Sequence, residues 1–175
     1  MNPLNLLLVT NLTPPRKSQW SNGEFEERKG WGEIFEAISN WFCYSNGFRT
    51  ENSIDLVIIR QKVRVVRFIG NKLRYLSPQL RSAASLVSKG WNKQQTERWT
   101  ESTPGVIVKD FPSVESYVNE AGFSASRINL ESKDSNQLEG RTMLYDPSML
   151  LPVREEYHTP FKYLAQLLIW NLEAD

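Results

Sequence analysis

The sequence predicts an α/β fold, a mostly parallel sheet flanked by helices, and three observations carry that prediction. Residues 4–9 and 54–59 are nearly continuous apolar runs of strand length, the pattern of strands covered on both faces. Between them Trp31, Ile34, Phe35, Ile38, Trp41 and Phe42 fall at the i, i+3, i+4, i+7 spacing of an amphipathic helix. Strand, helix and strand in that order are the signature of a βαβ unit, whose two strands lie parallel. The 175 residues suit one domain, residues 1–175, large enough to bury roughly two thirds of the surface its unfolded chain exposes.

Each element has its own signal. The run at 4–9 follows no basic segment and ends in Asn11 and Pro14-Pro15, so it reads as a strand and not a signal peptide. Residues 11–30 mix Pro, Ser, Asn, Gly and charge without period; a functional loop and a plain surface loop both fit. Asn46-Gly47 is expected to stop the first helix. Two β-rich runs, 63–69 and 73–76, flank Gly70-Asn71-Lys72 and predict a hairpin. Ser77-Pro78 then reads as cap and first residue of a helix buried through Leu80, Ala83, Ala84 and Val87, with Gly90 capping its end. Further on come a strand at 104–109, a short helix at 113–121, short strands at 127–130 and 141–145, and a last helix opening at Thr159-Pro160.

Composition removes most site chemistries. One Cys43 leaves no internal disulfide and no multi-cysteine zinc site, and one His158 leaves no histidine-rich metal site, so no metal is expected. Neither a Gly-rich phosphate loop, a dinucleotide fingerprint nor a Gly-x-Ser-x-Gly elbow occurs. Cys43 within the aromatic helix region reads as a small buried thiol, and His158 as a cap, a surface group or a general base. No catalytic residue is assigned. No apolar run approaches the ~18 residues of a membrane span, so a cytoplasmic protein with no membrane partner is expected.

Charge is the positive signal. Residues 56–96 hold nine Lys/Arg and no Asp or Glu, which leaves 12 basic against 20 acidic residues elsewhere. Such a block is the footprint of a polyanion partner or simply a solvated strand face. Interleaved with the cations are Phe68, Tyr75 and Trp91, and aromatic faces can stack on unpaired bases while cations grip phosphates.

Phe68, Gly70, Leu73, Arg74, Leu76, Ser77, Pro78, Arg81, Ser82, Ala83 and Ala84 stand in the order of F-D-G-x-x-L-R followed by L-S-P-D-E-R-S and an Ala-rich helix. In this the chain resembles the archaeal tRNA pseudouridine N1-methyltransferase family of the SPOUT, or α/β-knot, class. The resemblance extends back through LLLVTN and the helix WGEIFEAISNWFCYSNGFR, and forward through Pro104-Gly105-Val106-Ile107-Val108; the ending around Pro160, Tyr163, Leu164 and Ala165 is similar to L-G-P-x-S-Y-L-A. It implies a SPOUT-like domain, a homodimer with its site across the two-fold, an RNA partner, and S-adenosylmethionine as cofactor. On the matching positions it implies RNA contacts at Arg74 and Arg81, to which the basic window adds Arg64 and Arg67 and the 11–30 segment Arg16 and Lys17, and it implies a cofactor site at Leu144, Tyr145, Asp146, Thr159, Pro160, Tyr163 and Leu164. The family's cofactor loops carry glycines, V-L-G-D and L-G-P, where this chain reads Leu144-Tyr145-Asp146 and His158-Thr159-Pro160. Two readings stay open: a tRNA pseudouridine-type methyltransferase, and a non-catalytic relative that binds RNA or protein as a dimer without cofactor.

Overall fold

A computed structural model describes residues 5–10, 12–14, 31–45, 47–121 and 142–145. Its centre is a six-stranded sheet of β1 (Asn5–Thr10), β4 (Ser53–Ile59), β5 (Val63–Ile69), β6 (Thr100–Thr103), β7 (Val106–Phe111) and β8 (Thr142–Tyr145), in the order β6-β7-β5-β4-β1-β8. The predicted βαβ unit is present: β1 and β4 pair in parallel and α1 (Trp31–Phe42) connects them. β8 also lies parallel to β1. The mostly parallel sheet is corrected, because β4·β5, β5·β7 and β6·β7 are all antiparallel. Only Arg60, Gln61 and Lys62 separate β4 from β5, too short a link for a crossover, so the chain has to turn straight back.

Strand alternation sorts the side chains onto two faces. On one, Leu6, Leu8, Ile54, Leu56, Ile58, Val66, Phe68, Val106 and Val108 pack with α1 and with α2 (Leu80–Trp91), which contributes Ala83, Ala84, Leu86 and Val87. All six apolar residues of the predicted α1 stripe are buried there. On the other, Leu7, Val57, Val63, Val65 and Phe111 meet Tyr117 of α3 (Val114–Ala121). β5 is thus an interior strand with a helix above and a helix below.

Local chemistry moves several predicted boundaries. α1 ends at Phe42, and a two-residue pair of strands, β2 (Cys43–Tyr44) with β3 (Gly47–Phe48), follows; Phe48 stacks on Phe42 with ring centroids 5.5 Å apart. Arg49 Nη1 donates to the Asn40 carbonyl at 3.1 Å, placing a cation on the carbonyl-rich end of α1.

The predicted hairpin at 63–76 does not form. Gly70–Lys72 is a 3-10 turn, the Leu73 N–H donates back to the Ile69 and Gly70 carbonyls, and β5 takes β4 and β7 as partners instead. α2 begins at Leu80 and not at Pro78, and Gly90 lies inside it, one residue before its end. A Cβ on Gly90 would stand 2.8 Å from Val66 Cγ1, so the glycine lets the helix close on the sheet and does not serve as a cap.

Candidate functional site

The basic window separates into two sets. Arg64 is 8% exposed and forms a fork with Asp110, 8% exposed, Nε to Oδ1 and Nη2 to Oδ2 both at 2.7 Å. Its remaining nitrogen, Nη1, donates to the Trp91 carbonyl at 2.5 Å and the Lys93 carbonyl at 2.7 Å, so the guanidinium ties the end of α2 to β7 through β5. Burial opposes the charged form of Asp110, but hydrogen bonds from Arg64 and the Thr96 N–H, with the charges of Arg64 and Lys62, hold the carboxyl below its ordinary value.

Arg67 faces the other side. It forks onto Asp55, Nε to Oδ1 at 2.6 Å and Nη2 to Oδ2 at 2.7 Å, and its Cζ lies 4.3 Å from the Trp99 ring centroid. Burial works against the guanidinium charge, and Asp55 outweighs it and raises the pKa above the usual value. Tyr117 Oη donates to Asp55 Oδ2 at 2.6 Å; burial, then the Asp55 charge, push the phenol upward and keep it a donor. Trp99 Nε1 and Lys109 Nζ both reach Glu120 at the end of α3. Arg67, Trp99, Phe111, Tyr117, Glu120 and Ala121 line a surface cavity of about 210 Å³ whose polar groups are already engaged with one another. The arrangement clamps α3 to the sheet.

Sequence reasoning missed both carboxylates. Asp55 sits one residue before the acid-free window and Asp110 beyond it, yet each lies directly opposite its arginine in strand register. The signal available was a lone Asp in each of two strand runs, IDLVII, otherwise apolar, and VIVKDF, apolar but for Lys109 beside the Asp.

The other cations remain on the surface: Arg60, Lys62, Lys72, Arg74, Arg81 and Lys89 are exposed. Arg74 lies on the segment between the 3-10 turn and α2, and Arg81 in the first turn of α2. Gly105, at φ +81°, shapes this segment from outside, because a Cβ there would stand 2.4 Å from the Leu73 nitrogen. The Pro104-Gly105 turn and the 70–76 segment, distant in sequence, therefore sit backbone against backbone, and the Ile69 N–H donates to the Gly105 carbonyl at 2.9 Å.

Of the expected cofactor residues, Leu144 and Tyr145 belong to β8, opposite Leu7 and Leu8 of β1. Asp146, Thr159, Pro160, Tyr163 and Leu164 lie outside the described residues, as do Arg16, Lys17, His158, the expected strand at 127–130 and the last helix. Cys43 is half-buried against the α1 face; burial raises its thiol, with Arg49 opposing, so it stays protonated as a packing group. Among the described residues no cluster of His, Cys, Asp and Glu could hold a metal ion, and no described helix is long and apolar enough to cross a membrane.

The model of the family described as "Putative SAM-dependent RNA methyltransferase" matches residues 28–152, most of the chain. The chain belongs to that family. Within this RNA methyltransferase family, it is similar to the tRNA (pseudouridine(54)-N(1))-methyltransferases of Methanosarcina acetivorans, 36% identical over 79 residues, and Methanococcoides burtonii, 30% identical over 78. A third, from Methanosarcina mazei, is 32% identical over 75 residues. These alignments cover 44%, 43% and 42% of this chain and 37%, 39% and 36% of the relatives, so the matched part spans less than two fifths of each relative.

Proposed function

We propose that the protein is an S-adenosylmethionine-dependent RNA methyltransferase acting on tRNA at a pseudouridine-type position, as the names of its relatives state for them. In this reading residues 1–175 form one SPOUT-like domain that works in the cytoplasm as a homodimer. The observation that carries it is the division of the basic window within the family-matched span. Two arginines are locked into ion pairs, while Arg74 and Arg81 stand exposed around the turn into α2. Those two, with Arg16 and Lys17, take phosphates; Arg64 and Arg67 hold the frame that presents them.

The placement of β8 supports the cofactor half. β1 and β8 are parallel neighbours, with Tyr145 at the carboxyl end of β8 opposite Leu8, two residues before β1 ends at Thr10, and in open α/β sheets ligands collect beyond the carboxyl ends of such strands. A ligand held by Leu144, Tyr145 and Asp146, with Thr159, Pro160, Tyr163 and Leu164, would sit there. When bound, S-adenosylmethionine would supply a methyl group on a sulfonium, ready for transfer to a nucleophilic base nitrogen. The chain's own part is to hold the RNA by its phosphates so that the base nitrogen reaches that end of the sheet.

The lack of glycine at 144–146 and 158–160 favours a second reading, a dimeric RNA- or protein-binding relative without cofactor, since only glycine lets a main chain close on a ligand with no Cβ between them. Calorimetric titration with S-adenosylmethionine separates the two. Heat corresponding to one site per chain, lost in Thr159→Trp, supports the enzyme; no binding at millimolar ligand supports the module.

A further inference from the structure

Tyr75 is 63% exposed, and it and Tyr44 are the large apolar side chains exposed among the described residues. The two differ in their surroundings. Arg49 covers the Tyr44 ring at 5.0 Å from its centroid, while Tyr75 has no aromatic or cationic ring contact among the described residues. Its neighbours on either side explain why it faces out. Leu73 and Leu76 pack against the core, so the two residues between them, Arg74 and Tyr75, are left on the surface.

Both ends of this short segment are fastened. At its start the Leu73 N–H is bonded to the Ile69 and Gly70 carbonyls, and Gly105 presses on the Leu73 backbone. At its end Ser82 Oγ accepts from the Ser77 N–H at 3.0 Å and donates to the Ser77 carbonyl at 2.9 Å or to the Gln79 carbonyl at 2.8 Å. An exposed ring on a mobile loop would lose much of any contact energy to ordering; a ring on a fastened loop loses little. An exposed aromatic face next in sequence to the exposed Arg74, on the segment that leads into α2 and its exposed Arg81, combines a π surface with phosphate-gripping charge, the pairing that holds unpaired nucleotides.

We infer that Tyr75 is a stacking platform for an unpaired nucleobase, with Arg74 on an adjoining phosphate, so that the surface selects RNA whose bases are out of the helix. This rests on the RNA-binding reading and adds to it the state of the RNA that is bound. Stacking neutralises no phosphate, so it changes affinity without changing the salt dependence.

The test is fluorescence anisotropy with the full chain, a labelled stem-loop RNA and a blunt RNA duplex of equal length, across a salt series. Wild type should prefer the stem-loop. Tyr75→Ala should weaken stem-loop binding about tenfold, the scale of one lost base–aromatic stack, with duplex affinity and salt slope unchanged, and Tyr75→Phe should bind like wild type. A thermal melt of each variant checks folding, which an exposed ring should not affect. Salt-dependent wild-type binding that Tyr75→Ala leaves intact, or lowers equally for stem-loop and duplex, overturns the stacking role alone. No RNA binding by wild type overturns the RNA reading with it.

Discussion

Arg64 and Arg67 stand three positions apart on β5 and face opposite sides of the sheet, each with a carboxylate directly across the ladder. Those carboxylates decide their role, with Arg64 buried and Arg67 half-buried. Truncating Arg64 to Ala leaves Asp110 charged and buried with one backbone partner and releases the carbonyls at the end of α2. The expected cost is about 3–5 kcal/mol, read as a lowered urea midpoint, and a change under about 1 kcal/mol would show that the pair is solvated. Asp110 also gives a pH signature. Its folded carboxyl titrates below the unfolded value of about 3.9, so the unfolded chain holds more protons in acid. The stabilisation is complete above about pH 5 and is lost as pH falls through the folded value. Urea midpoints of Asp110→Asn should therefore fall less between neutral and acid pH than those of wild type; parallel curves would remove Asp110 from the acid limb.

At the scale of elements, α3 is short, and its hold on the sheet comes from Tyr117, Glu120 and the half-buried apolar residues beside them. Tyr117→Phe keeps the ring against Phe111, at 5.4 Å between centroids, and removes only the donor to Asp55. A loss of about 1–3 kcal/mol is expected, the scale of a hydrogen bond to a charged group, together with faster amide exchange across Val114–Ala121 than across α2. Equal exchange in both helices would mean that the hydroxyl does not fasten α3. The elements most legible in the sequence were those written in local period: β1, α1, β4 and the buried stripe of α2. What escaped depended on distant partners. Residues 73–76 look like a strand, yet Gly105, some thirty residues away, occupies the space beside Leu73. β6 reads Thr-Glu-Ser-Thr, with no apolar alternation to reveal it, and pairs only at the sheet edge. Two of the arginines looked like surface charge because Asp55 and Asp110 are adjacent to them only once the strands are paired. Arg74 and Arg81 were legible as candidate contacts and remain exposed.

For the whole molecule, the fold sets a basic, fastened turn on one element boundary and lays β8 beside β1 in parallel on the other side of the sheet. RNA affinity should fall steeply with salt, and Arg74→Gln and Arg81→Gln should each flatten the log–log slope by about one while leaving the urea midpoint unchanged. A slope unaffected by either substitution would move the contact elsewhere on the surface. Methyl transfer at this surface is tested by incubating the full chain with methyl-labelled S-adenosylmethionine and a tRNA carrying pseudouridine at the position named for its relatives. Label is expected in the pseudouridine-containing tRNA and none in the same transcript with uridine there; no label in either, with the cofactor in excess and RNA binding intact, would show that the protein does not transfer methyl groups to this site.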